Sequence, residues 1–331
     1  MSDKLILLTG GTGHIGFRTL VEALSKGYHV RAAVRSESKT TQIRTAKSVQ
    51  PFLEQLEFTI VPDITKPGAF DDAMRSVNYV VHLASPLGRA TDDFETNIIQ
   101  PAVQGTLSIL HSALKEPSVE RVVITASLAS VSPSTPRPFT ADNTEEDPEG
   151  PFPDPFTAYV ASKKLALNRT RQFLAQEKPH FSIINVMPSF VIGKNELATT
   201  PEAVNSGSNS RALGPILGNA NAVALPGAVC HIDDVSFVHI AALDPKVDGN
   251  QNFGVNWRSS SFQWDDALEI VRKLFPEEVS RGIFPLGGSQ STGLAEFDAS
   301  KTEDILGIKF KNFEEQILSL AGHYAEVSAS A

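Results

Sequence analysis

The sequence predicts an α/β protein built on a doubly wound parallel sheet, with a smaller lobe formed by its C-terminal part. Short apolar runs alternate with amphipathic stretches through the first half of the chain, which is the pattern of repeated βαβ units. A glycine-rich turn follows the first apolar run and precedes an amphipathic stretch. The 331 residues exceed an average single domain, so we expect a second lobe.

The predicted strands are apolar or β-branched runs that end at small or polar residues. They lie before Thr9 and over Tyr28–Val34, Leu56–Val61, Val77–Leu83, Val119–Thr125, Phe181–Val186 and Gln251–Trp257. Helices are predicted where apolar residues recur with helical spacing. In chain order, the predicted helices are one that carries Ile15 and Leu24, one through Phe70 and Met74, one over Asp93–Leu114 with an interruption at Pro101, one over Phe156–Gln176, one through Val235 and Ala242, and one over Trp264–Phe275. The Pro-rich stretch 133–155 is expected to form an irregular loop over the mouth of the site.

Composition excludes several classes of partner. A net charge of −9 argues against nucleic acid and anionic membranes, which both need a basic face. No apolar run approaches the roughly 20 residues of a membrane span. The single cysteine, Cys230, is interpreted as a buried apolar residue and suits a reducing compartment, so a cytoplasmic protein is expected. The oligomeric state is left open.

The run from Thr9 to Gly16, Thr-Gly-Gly-Thr-Gly-His-Ile-Gly, is typical of a dinucleotide-binding turn in this position. Gly10 makes the turn, Gly13 lets the backbone approach a pyrophosphate, and Gly16 lets the helix pack close to the strand. The helix N-terminus then offers free N–H groups to the phosphates. The context therefore predicts a Rossmann fold.

The end of the second strand indicates which dinucleotide is bound. An NAD site places an acidic residue there to bind the ribose 2′-hydroxyl, whereas this chain has Arg35. A guanidinium at this point would pair with the 2′-phosphate of NADP, as would Lys39 or Arg44. The alternative is that Arg35 is a solvated surface charge.

Asp63 follows the third strand and has two interpretations. It could accept a hydrogen bond from the adenine amino group, because ligands of parallel sheets bind beyond the carboxyl ends of the strands. It could equally cap the helix predicted through Phe70.

Tyr159 and Lys163 stand four residues apart on a predicted helix and therefore share one face. A free phenol has a pKa of about 10, and a nearby ammonium favours the phenolate, which makes such a phenol a usable proton donor. Ser127, at the end of the preceding strand, could hold a carbonyl oxygen while negative charge builds on it. The sequence thus predicts that the three side chains meet beside the dinucleotide.

Together these motifs resemble the extended short-chain dehydrogenase/reductases, and within them the branch of dihydroflavonol 4-reductases, aldehyde reductases and methylglyoxal reductases. The segments that carry the closer likeness are Val30-Arg-Ala-Ala-Val-Arg35, Val81-His-Leu-Ala-Ser-Pro86, Pro101-Ala-Val-Gln-Gly-Thr106 and Met187-Pro-Ser-Phe-Val-Ile-Gly193. The likeness covers residues 4–193 well, with an echo at His231–Val235, and only loosely covers the remaining C-terminal lobe.

The resemblance implies hydride transfer from NADPH to a ketone or aldehyde, with Tyr159 protonating the oxygen, Ser127 positioning it and Lys163 tuning the phenol and holding the ribose. The residues it implies for NADPH are Thr9, Gly10, Gly13, His14, Ile15, Gly16, Arg35, Lys39, Asp63, Ile64, Leu83, Ala84, Ser85, Tyr159, Lys163, Pro188 and Ser189. The substrate pocket is expected to include Pro86, Phe94, Ser127 and Phe190. Residues 1–187 with about 230–248 are expected to bind NADP, and about 188–229 with 249–331 to bind substrate.

Two other functions stay open. One is a sugar-nucleotide epimerase or dehydratase with NAD, against which Arg35 and Ala102 speak, because such enzymes commonly carry Asn where this chain has Ala102. The other is a non-catalytic NADP sensor, which would not need Ser127, Tyr159 and Lys163.

Several residues are assigned structural roles. His82 is expected to be a buried histidine with a hydrogen-bond partner, and His231 with Asp233 and Asp234 to cap a helix, with no metal bound. Of the aromatic residues that could line a pocket, Phe152, Phe156 and Trp257 are interpreted as core.

Overall fold

The computed structural model describes residues 4–85 and 93–329. Its strands are β1 (Leu5–Thr9), β2 (His29–Val34), β3 (Leu56–Ile60), β4 (Tyr79–His82), β5 (Arg121–Thr125), β6 (Phe139–Thr140), β7 (Ser182–Pro188), β8 (Phe190–Ile192), β9 (Ala220–Pro226), β10 (Val229–His231), β11 (Gln251–Val255), β12 (Ser289–Gly293) and β13 (Phe297–Asp298). Its α-helices are α1 (His14–Ser25), α2 (Glu37–Arg44), α3 (Gln100–Leu114), α4 (Pro155–Glu177), α5 (Pro201–Val204), α6 (Asn209–Ile216), α7 (Ile232–Ala241), α8 (Asp266–Leu274), α9 (Pro276–Ser280), α10 (Ser300–Leu306) and α11 (Phe313–Ala329).

A seven-stranded sheet in the order β11-β7-β5-β4-β1-β2-β3 is the largest in the described part of the chain. The pairs β1–β2, β2–β3, β1–β4, β4–β5 and β5–β7 are all parallel. The chain runs outward from β1 to β3 and then returns to build β4 beside β1. The order confirms the predicted doubly wound fold and places its topological switch point between β1 and β4.

Helices cover the central strands, and the strands are therefore mainly apolar. Leu7, Val80 and Val122 are fully buried in the sheet. They belong to one core cluster that also contains Ile109 of α3 and Phe173 of α4. This packing explains why the sequence pattern marks the strands as continuous apolar runs with no alternation.

The chain divides into two compact units. The first comprises residues 1–133, 141–187 and 236–253, and the second comprises residues 134–140, 188–235 and 254–331. Residues 134–140 belong to the second unit because β6 pairs with β13. The chain re-enters the first unit at residue 236, since β10 still pairs with β8 in the second unit. Relative to the expected bounds, residues 134–140 and 230–235 lie in the second unit and not in the first. Residues 249–253 lie in the first unit and not in the second.

One local expectation needs correction. Residues 64–76 form successive turns where a helix was expected, with Gly68 at φ +72° and Ser76 at φ +61°. The helix expected over 93–114 is interrupted at Pro101 as predicted: a π-helical turn, Glu95–Ile99, precedes α3, whose first turn contains the proline. The loop after β6 is tied to α4, since Asp147 accepts hydrogen bonds from Asn168 (2.8 Å) and Arg169 (2.7 Å).

Among the described residues, no helix combines the length and the apolar character that crossing a bilayer requires.

Arg121, the first residue of β5, joins the sheet to the segment after α7. Its guanidinium donates to the carbonyl oxygens of Ala242 (2.7 Å), Asp244 (2.8 Å) and Val247 (2.8 Å), and to Ser182 Oγ (3.0 Å). The side chain is buried, so these bonds replace the water that the group loses on folding. A planar fork with five donors can serve all four acceptors, which an ammonium cannot do.

We expect Arg121→Met to lower the free energy of unfolding by about 3 kcal/mol, because the three carbonyls lose their donor in a buried place. Urea unfolding followed by far-UV circular dichroism measures the change. Arg75→Ala is the control, since Arg75 pairs with Asp72 at the exposed surface and its loss leaves the unfolding midpoint unchanged. Equal midpoints for the two variants would contradict the role given to Arg121.

Candidate functional site

The glycine turn between β1 and α1 is shaped by close backbone approaches. Gly10 has φ +76°, a region that favours glycine, and a Cβ there would lie 2.7 Å from the Ala84 nitrogen. A Cβ on Gly16 would lie 2.0 Å from the Gly10 carbonyl oxygen. Both positions therefore admit glycine alone without a backbone shift.

Gly13 is different, because a Cβ there would meet only the Gly10 carbonyl oxygen, at 3.4 Å. The space beside Gly13 is thus open on the side where a side chain would project. The N-cap residue of α1 is Gly13, which has no side chain to cap the helix. A helix N-terminus with glycine at its N-cap, next to an open glycine face, fits a diphosphate, whose oxygens accept from the first N–H groups of the helix.

The ends of β1 and β4 are joined by hydrogen bonds at the switch point. Thr9 Oγ1 accepts from the Ala84 N–H (3.1 Å) and lies 2.9 Å from His82 Nδ1. Burial, with a smaller effect from the Lys163 charge, lowers the pKa of His82 to about 3. The expected buried histidine with a partner is confirmed, and its ring is neutral at physiological pH.

Lys163 on α4 reaches the segment after β4. Its Nζ donates to Ser85 Oγ (3.3 Å) and lies 5.7 Å from the centre of the Tyr159 ring. The two residues are one turn apart, so their side chains share one helix face as predicted. Both side chains are partly exposed, which leaves the phenol and the ammonium accessible.

Ser127 follows β5 and caps a short 3-10 turn, Leu128–Ser130. Its Oγ accepts from the Ala129 N–H (3.2 Å), so its own proton is still available to an acceptor. The turn packs against α4, the helix that carries Tyr159. Ser127 therefore lies on a turn that packs against the helix of Tyr159 and Lys163, and all three residues belong to the first unit.

Arg35 lies just past β2 and is exposed. Its guanidinium makes no hydrogen bond or ion pair with any described residue, so it is available to a ligand anion. Lys39 donates to Gln42 Oε1 (2.9 Å), and the Arg44 guanidinium lies 5.3 Å from the centre of the Phe58 ring. Of the three candidate cations for a 2′-phosphate, Arg35 alone is free of partners in the described parts of the chain.

Asp63 binds its own loop. Its Oδ1 accepts from the Thr65 N–H (3.0 Å) and the Thr65 hydroxyl (2.6 Å), and these bonds lower the pKa of the carboxyl. It therefore caps a turn and not the helix expected through Phe70. Neighbouring Ile64 packs onto the sheet core, where a Cβ on Gly105 would lie 3.2 Å from its side chain.

The expected residues beyond β7 fall in the second unit. Ser189 is hydrogen-bonded within that unit, since its N–H (3.0 Å) and its hydroxyl (3.2 Å) both donate to the Val255 carbonyl oxygen. Phe190 packs edge-on against Trp264 at 5.6 Å. Pro188 ends β7 and begins the segment 188–235 of that unit.

The other expected pocket residues are scattered. Pro86 lies outside the described residues, and Phe94 directly precedes the π-helical turn. Phe156, interpreted as core, is 59% exposed, because the first turn of α4 turns it to solvent. Phe152 lines a cavity of about 310 Å³ with Ile99 and Arg169, and Trp257 packs on Phe262 at 6.2 Å.

His231 caps the start of α7, as predicted, whereas Asp233 and Asp234, which were expected to cap it too, bind Lys311. His231 Nδ1 accepts from the Asp233 N–H (3.0 Å), while Asp233 pairs with Lys311 Nζ (2.6 Å). Asp234 accepts from the Lys311 N–H (2.8 Å), and burial raises its pKa to about 6. No group that could hold a metal ion occurs among the described residues. Cys230 is buried, and burial raises the pKa of its thiol to about 12.

Two residues near the site escape sequence reasoning. Asp154 caps α4 by accepting from the Phe156 N–H (2.8 Å) and the Thr157 N–H (3.0 Å), and the Asp154-Pro155 pair is a helix-start signal that could have been noticed. Asn185 is a buried amide in an otherwise apolar strand, and its Nδ2 donates to Asn252 Oδ1 (2.9 Å). An isolated Asn in such a strand is its only sequence signal.

The chain is similar to proteins of known name over almost its whole length. It is 37% identical over 345 residues to the ketoreductase CTB6 of Cercospora nicotianae, covering 99% of this chain and 96% of that protein. It is 39% identical over 340 residues to the NAD-dependent epimerase/dehydratase ALT6 of Alternaria alternata, covering 96% of each. In fold it is similar to the yeast methylglyoxal/isovaleraldehyde reductase Gre2 complexed with NADPH, with a TM-score of 0.81 at 24% identity, covering 99% of this chain and 100% of that one.

A family model also matches residues 6–255. The matched range includes the glycine turn, β1 to β7, and the helix that carries Tyr159 and Lys163. These similarities confirm the resemblance to extended short-chain dehydrogenase/reductases that the motifs indicate. The chain belongs to the NAD dependent epimerase/dehydratase family.

Proposed function

We propose that this protein is an NADPH-dependent carbonyl reductase that acts on a small-molecule ketone or aldehyde. The observation that carries the proposal is the position of Lys163, which bonds Ser85 beyond β4 and lies beside the Tyr159 ring. The name of one relative supports it, since the ketoreductase CTB6 aligns with 99% of this chain. Coenzyme binding is assigned to the first unit and the choice of carbonyl compound to the second. We place the protein in the cytoplasm, with which a single buried cysteine is in keeping.

NADPH, when bound, supplies the hydride for the carbonyl carbon. Ser127 donates its hydroxyl proton in a hydrogen bond to the carbonyl oxygen and stabilises the charge that builds there. Tyr159 delivers its phenolic proton to the same oxygen, and the Lys163 ammonium stabilises the phenolate left behind. Lys163 also has donors for the ribose hydroxyls, because its bond to Ser85 uses only one of three.

The groups that bind the diphosphate, the 2′-phosphate, the ribose and the adenine come from the segments that follow β1, β2, β4 and β3. The open face at Gly13 and the start of α1 receive the diphosphate, and Arg35 receives the 2′-phosphate. Leu83, Ala84 and Ser85 supply backbone and hydroxyl groups beside the ribose. Asp63 can accept a hydrogen bond from the adenine amino group only with Oδ2, because Thr65 binds Oδ1.

Tyr159→Phe removes the proton donor and keeps the ring. We expect kcat for NADPH-dependent ketone reduction to fall by about 10²- to 10⁴-fold, while the Kd for NADPH changes little. Loss of NADPH absorbance measures turnover, and fluorescence titration measures binding. Tyr28→Phe is the control, since Tyr28 packs on Tyr79 and not on α4. Full turnover in Tyr159→Phe would disprove the role of the phenol, and NADPH binding without wild-type turnover would favour a sensor.

Arg35→Asp reverses the charge beside the 2′-phosphate. We expect kcat/KM to fall at least about tenfold with NADPH and to rise with NADH, because charge-assisted phosphate bonds are lost and a ribose acceptor is gained. Arg281→Asp, the same change at an exposed arginine of the second unit, leaves both values unaltered. An unchanged coenzyme ratio in Arg35→Asp would contradict the assignment.

Gly13→Ala tests the open face of the turn. The added methyl meets only the Gly10 carbonyl at 3.4 Å, so we expect the thermal midpoint to stay close to that of the wild type. The same methyl enters the diphosphate space, and the Kd for NADPH rises by about tenfold or more. Gly214→Ala, whose methyl meets nothing within 4 Å in α6, keeps the wild-type affinity. Unweakened binding by Gly13→Ala would place the diphosphate elsewhere.

A further inference from the structure

A small polar cavity lies behind Lys163, inside the first unit. Its volume is about 20 Å³, which is the size that one water molecule requires. Its lining includes His82 of β4, Asn185 of β7, Lys163 of α4 and Thr106 of α3. A water is held in such a space only when two to four polar groups bind it, so the hydrogen-bonding state of these side chains decides the occupant.

The hydrogen bonds of Thr9 favour one tautomer of His82. The Thr9 hydroxyl accepts from the Ala84 N–H, and among the described residues His82 Nδ1 is the acceptor that its single proton can reach. In this arrangement Nδ1 is the unprotonated nitrogen of a neutral ring, and Nε2 carries the proton. Nε2 has no hydrogen-bond partner among the described residues, which leaves it as a donor on a residue that lines the cavity.

Asn185 supplies the complementary acceptor. Its Nδ2 is bonded to Asn252 Oδ1 (2.9 Å), while its Oδ1 has no hydrogen-bond partner in the described part of the chain. Lys163 lines the same cavity, and its ammonium donates one of its three N–H groups to Ser85, which is also a lining residue. The hydroxyl of Thr106, by contrast, is bonded to the Ala102 carbonyl (3.0 Å).

We propose that one water molecule occupies this cavity, accepts from His82 Nε2–H and Lys163 Nζ–H, and donates to Asn185 Oδ1. His82 and Asn185 are then positioning residues, which act on the reaction only through the water and Lys163. The water binds the side of the ammonium that faces away from the coenzyme. The remaining N–H of Lys163 then points towards the ribose and the phenol. This inference rests on the role of Lys163 in the proposed carbonyl reduction.

Nitrogen-15 NMR of selectively labelled protein and a high-resolution crystal structure test the site without any turnover. We expect His82 in the Nε2–H tautomer and a water within hydrogen-bond distance of His82 Nε2, Lys163 Nζ and Asn185 Oδ1. The Nδ1–H tautomer, or a wild-type crystal structure without that water, would overturn the proposal.

Kinetics test the positioning role. In His82→Leu and Asn185→Leu we expect kcat to fall about tenfold with an unchanged KM for the carbonyl compound, because the ammonium is displaced while the substrate site is not touched. His82→Gln, which keeps an N–H donor, recovers a large part of kcat. Thr106→Val, which alters the same cavity wall at a hydroxyl bonded within its own helix, stays within twofold of wild type.

The outcomes separate the two proposals. A wild-type protein that reduces no carbonyl compound with NADPH refutes the proposed function, while the tautomer and the water are still measured. An active wild type with leucine variants that match Thr106→Val refutes the positioning role alone. If His82→Leu does not fold, Asn185→Leu and the spectroscopy of the wild type still decide the question.

Discussion

The structure of the site depends on the contact between the ends of β1 and β4. There the Thr9 hydroxyl binds both the Ala84 N–H and His82, and Gly10 approaches the Ala84 backbone so closely that a Cβ would lie 2.7 Å from its nitrogen. This one junction sets the direction of the glycine turn and the path of the chain to Ser85. Both the open face at Gly13, which we propose for the diphosphate, and the bond to Lys163 follow from it.

Helix α4 brings the chemistry to that junction and is held at several points along its length. Asp154 caps its start, and Asp147 binds Asn168 and Arg169 further along. Because the helix is fixed in this way, the four-residue spacing of Tyr159 and Lys163 becomes a fixed geometry at its inner face. A reductase needs this order, since a phenol that moved relative to the coenzyme would lose most of its effect as an acid.

The electrostatics of the first unit differ between the end of β4, where the histidine is neutral, and the end of β2, where a cation is exposed. His82 is neutral because burial and Lys163 both oppose a second positive charge there. At the carboxyl end of β2, Arg35 is exposed and free of partners among the described residues, whereas Lys39 and Arg44 are engaged. A family named for NAD thus contains a chain with a free guanidinium where NADP carries its 2′-phosphate, and we propose that this side chain decides the coenzyme choice.

The sequence by itself determined the sheet, the glycine turn and the Tyr159–Lys163 pair, because apolar periodicity, glycine sterics and helical spacing act within a few residues. Only the tertiary structure decided that 64–76 is a series of turns, that Asp63 binds Thr65, and that 134–140 joins the second unit by pairing with β13. It alone also identified the hydrogen-bond partners of His82 and Asn185, which are Thr9 and Asn252. Those partners are distant in the chain, and no local pattern specifies which distant strands will pair.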